Sequence, residues 1–210
     1  MKIVRHSATI MVLLLAFMTN SVPAEDIVAS CPAASSDASY YPERTFDAQR
    51  SDMDKLFRHS ATEFLTAMNE PSLSCGPSKE REAYRLLFLP AFGHPVAIRI
   101  NDSASGIVLE STELSGMAGY DPGMVFERKR IQLNERDWNE LKSAIVASTF
   151  WSATTSAEAL IGIDGDQWII EGRKGREYHA VGRFHPKGTW FGDLGQIFFK
   201  LSGITPQGLD

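Results

Sequence analysis

The strongest constraint on the fold is the bunching of strand-like segments in the middle of the chain. Tyr84 to Phe92 is a nearly unbroken apolar run, and Pro95 to Ile100 sets Val96, Ile98 and Ile100 on one face. Asn101-Asp102-Ser103-Ala104-Ser105-Gly106 is a turn cluster, after which Ile107 to Leu114 returns. That pattern predicts a hairpin. Ser115 to Gly123 holds three glycines and Pro122 and reads as a loop, with another strand over Met124 to Leu133. Strands gathered in meanders, instead of alternating singly with helices, point to an antiparallel sheet.

Three helices punctuate this text. Met53, Leu56, Phe57, Ala61, Phe64, Leu65 and Met68 recur every three or four residues and form one apolar stripe, which Pro71 stops. Asn134 is a good N-cap, with Glu135 and Asp137 in the first turn of a helix that carries Trp138, Leu141 and Ile145 along one side. The last helix runs from Trp190 to Leu201 and is ended by Gly203 and Pro206. Between the second and third helices, Ala159 to Ile163 and Gln167 to Gly172 flank Asp164-Gly165, a favoured hairpin pair. Lys174-Gly175 offers a further turn into Tyr178 to Phe184. The expected fold class is α+β: an antiparallel sheet of hairpins and meanders with about three helices, mainly on one face.

Residues 1–24 read as a signal peptide. Lys2 and Arg5 make a basic start, Ile10 to Met18 is apolar, and Val22-Pro23-Ala24 suits cleavage between Ala24 and Glu25. Residues 25–46, rich in Ser, Ala, Pro and Asp, form an irregular N-terminal arm, leaving 47–210 as a single α+β domain. The expected location is periplasmic or secreted, with no transmembrane segment after signal removal. An oxidising compartment makes Cys31 and Cys75 a candidate disulfide. The rival reading takes Val28-Ala29-Ser30-Cys31 as a lipobox with a lipidated Cys31, but Glu25 and Asp26 separate it from the apolar stretch.

Charge removes two function classes. The whole chain carries 21 basic and 26 acidic residues, and loss of Lys2 and Arg5 leaves 19 basic against 26 acidic. An acidic mature chain has no electrostatic footprint for nucleic acid or an anionic membrane. Its densest basic run, Arg128-Lys129-Arg130, reads as the solvated face of a strand.

From Tyr84 onward the chain resembles a group of small exported bacterial proteins. The resemblance rests on Tyr84-Arg85-Leu86-Leu87-Phe88-Leu89, His94-Pro95-Val96, Arg99, and Gly119-Tyr120-Asp121-Pro122-Gly123. It continues through Phe150-Trp151, Gly162 to Trp168 with Glu171, and Tyr178-His179 with Arg183 and Pro186. It implies an exported domain and brings no reaction with it.

Catalytic signatures are weak. No G-x-S-x-G elbow, H-E-x-x-H pair, calcium loop or P-loop occurs in the sequence. The best acid/base or metal candidates are Glu171, His179 and His185, with Asp164 and Asp166 close by in sequence. They define an alternative reading, a metal-dependent or acid/base hydrolase. Structural explanations compete at each position: Asp164-Gly165-Asp166 as a turn, and Glu171 paired with Arg173 or Arg183. The leading expectation is therefore a non-catalytic exported domain without a cofactor, acting by binding a periplasmic or envelope protein. The loops at Ser115–Gly123 and Lys187-Gly188 are its candidate contact surfaces.

Overall fold

A computed structural model of the protein describes residues 40–75, 81–162 and 164–206. The signal segment, the Ala24–Glu25 cleavage point and Cys31 lie outside the described residues. The helices are α1 (Ser51–Ala67), α2 (Glu135–Ala147) and α3 (Trp190–Ser202). The strands are β1 (Glu82–Pro90), β2 (Val96–Ser103), β3 (Gly106–Leu114), β4 (Val125–Gln132), β5 (Asp166–Lys174) and β6 (Glu177–Phe184). They form one six-stranded sheet in the order β4-β3-β2-β1-β5-β6, and every neighbouring pair is antiparallel. The fold is α+β, as the meander pattern indicates.

Both faces of the sheet are covered, and the period-two alternation of the strands explains how. Tyr84, Leu86 and Phe88 of β1 point to one face with Ile98 and Ile170, where Trp138 and Leu141 of α2 and Phe191 and Phe198 of α3 pack. Leu87 and Leu89 point to the other face with Ala97 and Ile169, under Phe64, Leu65 and Met68 of α1. Two helices thus share one face and α1 takes the opposite one. That is why β1 is apolar in both phases instead of alternating.

The described part of the arm belongs to the α1-side core. Tyr41 and Phe46 are fully buried there, although residues 40–50 contain no helix or strand. Buried Asp54 of α1 holds this segment, accepting from the Arg44 and Phe46 amides, both at 2.8 Å, and from Arg58 Nε at 2.7 Å. Burial opposes its charge, but these donors outweigh burial and hold the carboxyl below the usual range.

At the start of α2, Asn134 accepts from the Asp137 amide at 2.9 Å, the cap its position predicts. Gly203 ends α3 at φ 68°, in the left-handed region where glycine is favoured.

One expected element needs correction. Leu160 to Gly162 is not a strand, and Asp164-Gly165 is not a hairpin turn between two strands. Leu160 is drawn into the α1-side core, and Gly162 and Gly165 lie so close to the Phe184 ring that a Cβ on either would collide with it. The hairpin instead forms further on, where β5 returns as β6 through Gly175 at φ 59°. Local turn chemistry at Asp164-Gly165 is outweighed by tertiary packing.

Candidate functional site

Three apolar strand runs each place a charged residue among apolar neighbours on the α1 face: Arg85 on β1, Arg99 on β2 and Glu171 on β5. Antiparallel register brings them into one row. Glu171 stands opposite Arg85, Arg85 opposite Arg99, Arg99 opposite Glu110 of β3, and Glu110 opposite Arg130 of β4. Glu70, just after α1, reaches over the row between the two central arginines. The charges alternate along the chain of contacts.

The row begins in the interior. Glu171 is fully buried and accepts from Arg85 Nε at 2.7 Å and from the Tyr178 hydroxyl at 2.9 Å, with the Tyr41 hydroxyl at 3.4 Å. Arg85 Nη2 lies 2.5 Å from the same carboxylate, out of line for a hydrogen bond. Arg85 Nη1 donates to Glu70 at 3.1 Å and to the Pro71 carbonyl at 2.7 Å. Arg99 then joins Glu70 at 2.8 Å to Glu110 at 2.5 Å, and Arg130 caps Glu110 in solvent.

Burial works against the Arg85 charge, but Glu171 and the other acidic groups outweigh it and raise its pKa further. Burial, followed by the Glu171 charge, pushes the Tyr41 and Tyr178 hydroxyls well above the usual phenol range. They remain neutral donors. The inner half of the row is a buried, charge-paired network in which Arg85 Nη2 alone of the Arg85 nitrogens makes no hydrogen bond among the described residues.

The outer half opens into a polar trough. It comprises a hollow of about 470 Å³, lined by Pro71, Arg99, Asn101, Val108, Glu110 and Arg130 among others. An adjoining hollow of about 200 Å³ includes Glu70, Thr112, Arg128 and Lys129 in its lining. Asn101 is buried there, and its Oδ1 has no hydrogen-bond partner. Four cations and two anions line the two hollows together, a local excess of positive charge on an acidic protein.

Beside the trough the sheet ends at β4. Its only strand neighbour among the described residues is β3, and nearly every residue along it is exposed, including Arg128, Lys129 and Arg130. The loop before it, 115–124, closes on itself. The Ser115, Gly116 and Met117 amides donate to Met124, Pro122 and Asp121 carbonyls at 2.9, 3.0 and 3.2 Å. Large apolar groups lie outward here: Tyr120 is 74% exposed, Met124 79% and Phe126 of β4 64%, the Phe126 ring having its centroid 5.1 Å from that of His94. The second candidate loop, Lys187-Gly188, presents no comparable apolar group.

The three candidate acid/base residues do not converge. Glu171 is locked in the ion row on the α1 face, opposite Ala180. His179 is the next position along β6, pairs with Gly172, and therefore points to the other face. There it contacts Phe150, and its Nε2 lies 2.8 Å from the Ala153 carbonyl. His185 follows β6 and pairs through Nδ1 with buried Asp166 at 2.8 Å. Asp164 is exposed in the bend before β5. Among the described residues no group of three or more His, Cys, Asp and Glu is placed to hold a metal. Glu171 also takes Arg85 as its partner, not Arg173 or Arg183, because strand register sets Arg85 directly opposite.

Sequence reading missed Arg85, Arg99 and Glu70 as a unit. A usable signal existed: a lone charge inside each of Leu-, Ile- and Val-rich strand runs. Cys75 is not a free thiol. None of the described helices is long and apolar enough to cross a membrane. No family model matches the chain, and no curated protein shows significant similarity to it.

Proposed function

We propose that this protein is an exported, non-catalytic α+β domain that acts by binding another protein in the periplasm, envelope or medium. Edge strand β4 and the 115–124 loop form the contact surface. The observation that carries the reading is the exposure of Tyr120, Met124 and Phe126, close together in the chain, beside a strand edge with no neighbour among the described residues. Large exposed apolar groups grouped together mark interaction surfaces more often than singly scattered ones do. The self-closed loop holds them in place before any partner arrives, which lowers the ordering cost of association. An export signal over 1–24, cleaved before Glu25, and a Cys31–Cys75 disulfide belong to the same reading.

Site-specific photo-crosslinking in the native cells tests it. A photoreactive phenylalanine analogue at Tyr120 or Phe126 is expected to give a discrete cross-linked species with one partner. The same analogue at Val146, exposed on α2, is expected to give none. Absence of any adduct from positions 120 and 126, or an equal adduct from 146, would sink the assignment.

The intact mass of the purified protein checks the export claim separately. We expect a chain starting at Glu25 and lighter by the two hydrogens that one disulfide removes. A retained leader, a lipid adduct or two alkylatable thiols contradicts it.

A further inference from the structure

We propose that the segment received at β4 is acidic and extended, with carboxylates at alternate positions that meet Arg128 and Arg130. This rests on the docking reading above and deepens it by naming the chemistry of the partner. Arg128 and Arg130 are two residues apart on a strand, so they project to the same face. That face is the α1 face, because Arg130 stands opposite Glu110 and Arg128 opposite Thr112. A new antiparallel strand beside β4 sets its own alternate side chains opposite theirs, at Cβ separations of about 4.5–5.5 Å. Carboxylates fit these positions.

The charges left over at the trough support the choice. Arg128 donates to the Met68 carbonyl at 2.7 Å and has no carboxylate partner among the described residues. Arg130 shares Glu110 with Arg99, so one anion serves two guanidinium groups. Both arginines retain donors facing solvent. The trough behind them carries more cations than anions while the whole chain is acidic, so the positive patch is local to this edge.

A second copy of the chain fits poorly. Two-fold antiparallel pairing centred on the basic run sets Arg128 opposite Arg128 or Arg130, and like charges directly opposite each other destabilise a ladder. Basic edge residues are a recognised guard against self-association of strands. The same guard admits an acidic strand. The β3–β4 ladder shifts register at Phe126 and runs regularly from Glu127 to Gln132, and Arg128 and Arg130 both lie in that regular stretch.

The test uses the mature protein and a fluorescent, end-blocked peptide alternating valine with glutamate, and a matched peptide alternating valine with lysine. Fluorescence anisotropy is expected to show saturable binding of the glutamate peptide only, weakening as salt rises. R128E and R130E, both at exposed positions, are expected to weaken it about tenfold each while circular dichroism shows each variant still folded at the assay temperature. Equal binding of the two peptides, no binding of the glutamate peptide, or affinity unchanged in R128E and R130E overturns the proposal. A partner cross-linked at Phe126 alongside a glutamate peptide that fails to bind refutes the charge assignment and leaves the docking reading standing. A peptide that binds, with no cross-linked partner, has the opposite meaning.

Discussion

Arg85→Met is expected to lower the unfolding free energy by about 3–5 kcal/mol, the usual loss when one member of a buried ion pair is removed. Folded domains hold only about 5–15 kcal/mol in total, so the variant should sit near the edge of folding. Loss of the guanidinium leaves Glu171 fully buried with two tyrosine hydroxyls and no cation. It also frees the Pro71 carbonyl and leaves Glu70 to Arg99 alone. Urea unfolding followed by tryptophan fluorescence measures the effect. The double variant Arg85→Met with Glu171→Gln should recover part of the loss, because the amide still accepts from Tyr178 while the orphaned charge is gone. A loss in Arg85→Met smaller than about 0.5 kcal/mol, typical of an inconsequential surface change, would show that the row is not a structural network.

How much of this was legible beforehand differs between levels of structure. Element types and the sheet class were readable, because Asn134, Pro71, Gly203 and the 101–106 turn cluster act through neighbouring backbone. The outcome at Asp164-Gly165 shows where that locality fails. The dipeptide suits a hairpin, but Leu160 is buried under α1 and the Phe184 ring closes over Gly162 and Gly165. Those contacts come from distant residues, and no local pattern encodes them.

The candidate site follows the same division. Charged residues inside apolar strand runs were visible at Arg85, Arg99 and Glu171, and each could have been marked as needing a partner. Which partner depends on strand order. β5 returns to lie against β1 after a long excursion through α2, and that pairing alone brings Glu171 to Arg85. His179 and Glu171 looked like neighbours across a hairpin, yet a one-residue offset in register puts them on opposite faces. Sequence proximity brought together residues that strand geometry separates.

Gly195→Ala should destabilise the protein by about 2 kcal/mol, although the same change in an exposed helix gains about 1 kcal/mol. Helix α3 lies so close to the sheet at this point that a Cβ on residue 195 would stand 2.1 Å from Cζ3 of Trp168. Trp168 has little freedom to yield, being fully buried and edge-on to Phe88 and Phe199, with ring centroids 5.5 and 5.4 Å away. The added methyl therefore forces α3 away from β5 or drives the indole out of its rotamer. Introducing Trp168→Phe removes the outer ring atoms that the methyl strikes. In that background Gly195→Ala should cost little or become favourable, giving a coupling of about 1–3 kcal/mol between the two positions. Thermal melts of the four proteins in this cycle measure it. A higher Tm for Gly195→Ala alone would mean that helix propensity wins and that α3 does not rest on the indole.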